Sequence, residues 1–176
     1  MTKTYHVVGI GNAMVDILCY EDENFLNLNE ISKGVMQLID LTRAKKLHKL
    51  IKVSKSMSGG SAANTIAGIA QLGGNTAYIG KVKDDQLGNI FAQDLRDQNV
   101  IYSTPFADDE SVDETGRCTI IVTPDGERSM NTYLGVTEYL QPSDIDEQKI
   151  KDSEWIYLEG YRFDGPESHE AFNKAI

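Results

Sequence analysis

Cysteine is scarce in this chain: only Cys19 and Cys118 occur among 176 residues. Two cysteines cannot build a disulfide framework, and neither stands in a Cys-His spacing that suits zinc. A reduced, cytoplasmic setting fits. Histidine is limited to His6, His48 and His169, too scattered for a ligand set, and all three read as structural or solvated. No Ser-His-Asp set or adjacent pair of catalytic carboxylates emerges. No run of 18 apolar residues occurs, so no segment is expected to span a membrane. The N-terminus enters a polar-then-apolar strand within about six residues and shows no apolar run long enough for a signal peptide, so none is expected there. Gly-x-x-x-x-Gly-Lys-Ser/Thr is missing, which excludes a P-loop. Positive charge is also short: 17 Lys and Arg stand against 27 Asp and Glu, a formal charge of −10. Nucleic acid and anionic membrane surfaces are poor partners for such a chain. The one basic stretch, Lys45, Lys46, Lys49, Lys52 and Lys55, reads as a solvated helix face.

What is present is ordinary for one globular domain: 40% hydrophobic and 25% charged residues. Tyr5 to Ile10 is β-branched and apolar, a buried strand. Ile17 to Tyr20 and Val35 to Ile39 read as short strands around the polar stretch Glu21 to Lys33. Leu41 to Ile51 has helical spacing, with Thr42 as its expected cap. Ser61 to Leu72 is a second helix, rich in small residues and stopped by Gly73-Gly74. Ala77 to Val82 is a strand, and Asp84 and Asp85 open a helix over Gln86 to Gln98. Strand, helix, strand, helix is the pattern of a parallel sheet. Cys118 to Thr123 and Arg128 to Leu134 flank Pro124-Asp125-Gly126, a β-hairpin with one solvated face. With the strands near 17–39 it is expected to form a small antiparallel sheet apart from the parallel one. Ser143 to Lys151 reads as a short helix, Trp155 to Leu158 as a buried strand, and Pro166 to Ile176 as a helix still unstopped at the last residue. Only three good core strands result, near 6, 78 and 156, and the chain reads as part of a longer one.

Two glycine segments carry the chemistry: Val7-Val8-Gly9-Ile10-Gly11-Asn12-Ala13-Met14-Val15-Asp16 and Ser58-Gly59-Gly60-Ser61-Ala62-Ala63-Asn64. Glycine brings bare backbone N–H groups close to a ligand. Asn offers a donor and an acceptor, and an ionised Asp accepts from hydroxyls. The set suits a sugar-like, hydroxyl-rich substrate better than a metal or a nucleophilic triad. Gly9-Ile10-Gly11 begins like a dinucleotide fingerprint, but Met14 occupies the third glycine position. Asp16 also comes far before the acidic residue expected ~20 residues on, so a Rossmann oxidoreductase is a weak alternative. Asn64, in the first turn of its helix, requires either a buried partner or a ligand. Glu159 follows the apolar strand at 155–158, at the strand end where α/β proteins bind ligands.

These motifs, in order, resemble the N-terminal half of a PfkB-family (ribokinase-like) carbohydrate kinase, and within it the adenosine kinase-like bacterial members. The series is Gly9-Ile-Gly-Asn12-x-x-x-Asp16, Gly59-Gly60-Ser-Ala-Ala-Asn64, Leu72-Gly73-Gly74, Gly80-x-Val82-x-x-Asp85-x-x-Gly88 and Gly126-Glu127-Arg128. Lys83 stands where many members have Gly. The resemblance implies a doubly wound parallel sheet with a small antiparallel β lid. The core would take 1–16, 41–100 and 136–176, and the lid 17–40 and 101–135. It implies transfer of the ATP γ-phosphate, with Mg²⁺, to a hydroxyl of a sugar or nucleoside, adenosine ahead of ribose or fructose. Asn12, Asp16, Gly59, Gly60, Asn64 and Glu159 would hold the substrate. Arg128 and Tyr133 would touch it from the lid, and a homodimer through the lid is expected. The family's catalytic Asp, its Gly-rich anion hole and most of its ATP site belong to a C-terminal half that this sequence does not contain. These 176 residues are therefore expected to supply the substrate side and to be inactive alone; a non-catalytic binding role is the other reading.

Overall fold

The computed structural model describes residues 3–107, 113–161 and 166–176. Along the chain run β1 (Tyr5–Ile10), β2 (Met14–Tyr20), α1 (Glu23–Leu28), β3 (Met36–Leu38), α2 (Leu41–Leu50), β4 (Lys55–Gly59), α3 (Ser61–Gln71) and β5 (Thr76–Ile79). Then follow α4 (Gln86–Asp97), β6 (Val100–Tyr102), β7 (Gly116–Val122), β8 (Arg128–Tyr133), α5 (Glu147–Lys151), β9 (Ser153–Leu158) and α6 (Pro166–Ala175), with 3₁₀ turns at Gly135–Tyr139 and Pro142–Asp144.

Alternation along β1 sorts its side chains between two cores. Val7 joins Ile66, Tyr78, Phe91 and Leu95, residues of α3, β5 and α4, on one face. Val8 and Ile10 join Ala77, Ile79, Ala171 and Phe172 on the other, under α6. Burial on both faces gives the continuous apolar run that identified this strand. The sheet is parallel, in the order β6-β5-β1-β9. It has four strands rather than three, because Val100–Tyr102 is too short to show in the sequence pattern. β9 also departs from expectation. Trp155, Ile156 and Tyr157 are 73%, 37% and 40% exposed, since β9 is the edge strand among the described residues and only Leu158 of its apolar side chains packs on the core.

The second sheet has the order β3-β8-β7-β2-β4. It unites the hairpin with the strands near 17–39, as expected, but it is mixed rather than antiparallel. β2 runs parallel to β7 and β3 parallel to β8, while β7 with β8 and β2 with β4 are antiparallel. It also reaches beyond 17–40 and 101–135. β2 begins at Met14, β4 comes from the segment between α2 and α3, and residues 100–102 belong to the parallel sheet. Residues 108–112 lie outside the described residues.

Caps set several boundaries. The Asp40 carboxylate, not Thr42, caps α2 by accepting from Arg43 N at 2.7 Å; Thr42 already lies inside the first turn. Asp85 caps α4 through Gly88 N at 2.8 Å and also accepts from Thr115 N at 2.9 Å, so one carboxylate fixes the helix start beside β7. Glu21 to Lys33 is less irregular than it reads: Asp22 caps α1 through Phe25 N. The single helix expected over 143–151 divides, because Asp144 closes the 3₁₀ turn onto Gln141 N and Asp146 caps α5 separately.

Candidate functional site

β1 leads the chain to the carboxyl end of the parallel sheet, and the segment 11–13 carries it into β2 of the second sheet. β4 returns it from that sheet to α3. The first crossing is held by Tyr78, whose hydroxyl donates to Asn12 O at 2.9 Å, and by Thr137 Oγ1, which accepts from Ala13 N at 2.8 Å. After β6 the chain comes back to place β9 on the opposite side of β1 from β5. The strand order reverses there, where open α/β sheets bind ligands.

A cavity of about 450 Å³ opens at this point. Asn12, Gly60, Ser61, Asn64 and Glu159 line its core side. Its other wall is the inner face of the mixed sheet: Met14, Asp16, Met36, Leu38, Cys118, Ile120, Met130, Thr132 and Leu134. Period-two alternation selects this wall, since Met130, Thr132 and Leu134 point inward while Ser129 and Asn131 face away. Tyr161 stands at the rim, 70% exposed. Five of the residues singled out in the sequence thus share one cleft. Gly59 stands directly behind it: a side chain there would occupy the space of the Asp16 carboxyl group. Gly60 has φ +101°, and a Cβ would strike Asn12 O, so the corner between β4 and α3 requires glycine. Arg128 and Tyr133 are outside the cleft. Arg128 is exposed at the turn end of β8, opposite Val122. Tyr133 points to the outer face, where the Arg117 guanidinium lies 5.7 Å from its ring centroid.

The two acids of the cleft are held very differently. Glu159 is 4% exposed and its carboxylate is fully engaged. It accepts from Asn12 N at 2.5 Å, from Ser61 Oγ, and from Ala62 N at 3.3 Å. Gly60, the N-cap of α3, has no side chain to cap that helix, so Glu159 supplies the anion that its first N–H groups call for. The helix N-terminus that a phosphate would use is therefore occupied by protein. Asp16 is half-buried on β2, and among the described residues no donor or cation bonds to it. Burial alone pushes its carboxyl up from 3.8 to about 6. The Asn64 side chain is exposed into the cleft and likewise has no partner among the described residues. No Lys or Arg among the described residues lines the cavity, and no group of three His, Cys, Asp or Glu side chains clusters there or elsewhere among them. The donor set fits neutral hydroxyl groups and does not fit a metal ion or a polyphosphate.

A parallel sheet opening into a cleft beneath a mixed sheet, with Asn12 and Asn64 on one side and Asp16 on the other, is an α/β arrangement shared with known carbohydrate kinases. The chain belongs to the pfkB family of carbohydrate kinases, whose profile matches residues 6–176. It is similar to the adenosine kinase from Sinorhizobium meliloti, with 47% identity and a TM-score of 0.89 over 98% of this chain and 52% of that one. A probable sugar kinase protein from Rhizobium etli CFN 42 matches at 44% identity and a TM-score of 0.90, over 99% of this chain and 52% of that one. The 5-dehydro-2-deoxygluconokinase of Geobacillus kaustophilus is 30% identical over 176 residues, 99% of this chain and 46% of its own length. The chain spans about half the length of the curated relatives it matches. Its architecture is the ribokinase-like one of these neighbours, a parallel sheet with a β lid.

Proposed function

We propose that this chain forms the substrate side of a kinase that phosphorylates a hydroxyl of a nucleoside, of the adenosine type. The carrying observation is the cleft's two-sided character. Two Asn amides on the core side face a sheet wall on which the Asp16 carboxylate, without a bonding partner among the described residues, stands beside Met14, Met36, Cys118, Ile120, Met130 and Leu134. A ribose would set its hydroxyls against Asp16, Asn12 and Asn64, and the apolar wall would cover the flat base. Above pH about 6 Asp16 is ionised and accepts from two hydroxyls at once. Glu159 acts from behind, holding Asn12 and the start of α3 in place. The 47% identity to an adenosine kinase supports the same reading.

ATP would supply the phosphoryl group, and Mg²⁺ accompanies it in such chemistry. The cleft residues here do not fit either group, so none is assigned to them and no step is derived through them. Self-association through the lid would use β3, whose outer edge is unpaired and whose Met36 and Leu38 are exposed.

A bare sugar is the second reading, favoured by the similarity to a probable sugar kinase; it would leave the apolar wall uncovered. Phosphorylation of adenosine, ribose and fructose by the full-length protein separates the two. Adenosine is expected to saturate at the lowest concentration. Ribose or fructose saturating below adenosine would overturn the nucleoside assignment.

A further inference from the structure

We propose that Asp94 is a positioning residue for the Asp16 carboxylate, acting through Ser58. The inference rests on the reading of the Asp16 cleft as the substrate side. Asp94 lies on α4 and does not line the cavity. Its Oδ2 accepts from Ser58 N at 2.7 Å, from Ser58 Oγ at 2.7 Å and from Gln98 Nε2 at 3.2 Å. No basic side chain pairs with it among the described residues. Nothing in α4 itself calls for an acid there. Asp is a poor helix former, and a carboxylate in the last turn opposes the helix dipole. Its place is explained by the strand it grips.

That strand sets the surroundings of Asp16. Ser58 is 5% exposed and stands opposite Val15 in the β2–β4 ladder, between the pairs Met14–Gly59 and Asp16–Met57. The Asp16 carboxyl group packs where Gly59 lacks a side chain. β4 is an edge strand that pairs on one side only, and its sequence, Lys-Ser-Met-Ser-Gly, has little apolar content to anchor it. The grip of Asp94 on Ser58 is thus a fixed point one residue from the surface against which Asp16 rests. Releasing it lets β4 move and admits water to the carboxylate. The other titratable groups lining the cavity with Asp16 are the Cys118 thiol beside it on β7, held up at about 11 by burial, Glu159 across the cleft and Tyr161 at the rim.

The test uses the full-length protein with ¹³C-labelled aspartate. The Asp16 carboxyl resonance, assigned with Asp16→Asn, is titrated without ligand in the wild type, Asp94→Ala, Asp94→Asn and Ser58→Ala. The midpoint in Asp94→Ala is expected to fall from about 6 toward the ordinary value of 3.8. Ser58→Ala, which keeps the backbone donor, moves it less, and Asp94→Asn, which can still accept from Ser58 N, restores part of the shift. With adenosine as the probe, KM should rise about tenfold in Asp94→Ala, the loss expected for a charge-assisted contact, while kcat changes less than about threefold. An Asp16 midpoint identical to wild type in folded Asp94→Ala overturns the proposal, and so does an identical midpoint in Ser58→Ala if Asp94→Ala does not fold. Failure of the wild type to bind adenosine or ribose would refute the substrate reading, while the titration still decides the role of Asp94.

Discussion

Asp16 combines two properties that oppose each other: its carboxylate is open to the cleft with no bonding partner among the described residues, and it costs the fold stability. Its folded value of about 6 lies above the unfolded 3.8, so the native state holds the proton more tightly. The penalty is absent below pH about 4, grows between 4 and 6, and is fully present above 6, where it reaches on the order of 3 kcal/mol. Asp16→Asn is therefore expected to raise the unfolding free energy at pH 8 and to leave it nearly unchanged at pH 4, as read by urea denaturation. The same loss of charge should weaken substrate binding. Asp16→Ala removes a charge-assisted hydrogen bond worth about 1.5–3 kcal/mol, at least tenfold in affinity by titration calorimetry. Wild-type affinity should also fall as pH drops through 6, with Asp16→Asn flat across that range. A folded Asp16→Ala that binds as tightly as wild type would remove Asp16 from the site.

At the scale of elements, the N-terminus of α3 is where strand, lid and helix are fastened together. Glu159 reaches it from the residue after β9, and the Gly59-Gly60 corner reaches it from β4. Glu159→Gln replaces an acceptor with an amide donor facing Asn12 N or Ser61, and weakens the charge at the helix start. The expected cost is about 1–3 kcal/mol, opposite in sign to that of Asp16→Asn and visible as a lower Tm. Gly60→Ala forces a Cβ onto Asn12 O at φ +101° and should both destabilise the protein and reduce affinity. A Tm equal to wild type in Glu159→Gln would show that the clamp is not needed. These elements were unevenly legible. α3 followed from its small residues and the Gly73-Gly74 stop, and α4 from its acidic start and apolar periodicity. β4 did not, because Lys55–Gly59 has neither alternation nor β-branched residues and is a strand only through its pairing with β2. Arg128 and Tyr133 belong to the expected hairpin, but which end and which face of it meet the cleft is decided by register.

At the scale of the molecule, the free flank of the parallel sheet matters most. β9 presents Trp155, Ile156 and Tyr157 to solvent along an edge that no strand pairs among the described residues. Such an edge favours association with other chains. A polypeptide of these 176 residues alone is predicted to self-associate, which size-exclusion chromatography reads, and to give no ATP-dependent phosphorylation of adenosine or ribose, since no cleft residue described here meets a polyphosphate. Turnover comparable to the full-length protein would refute this. It would direct attention to Asp16, whose value near 6 suits a general base.

The sequence by itself determined the α/β class, the central strand Tyr5–Ile10, the two glycine segments and the candidate set around Asn12, Asp16 and Asn64. These depend on local chemistry: burial patterns of period two and 3.6, caps, and residue types suited to hydroxyl groups. The tertiary structure decided everything that depends on pairing. It made the lid sheet mixed, moved β9 from the interior to an edge, and joined Met36, Cys118 and Met130 into one apolar wall from three strands. It also separated two carboxylates that look alike in the sequence. Glu159 has its oxygens taken by N–H and O–H donors from α3 and the β1–β2 crossing. Asp16 has none among the described residues, because Gly59 gives its carboxyl room and no partner.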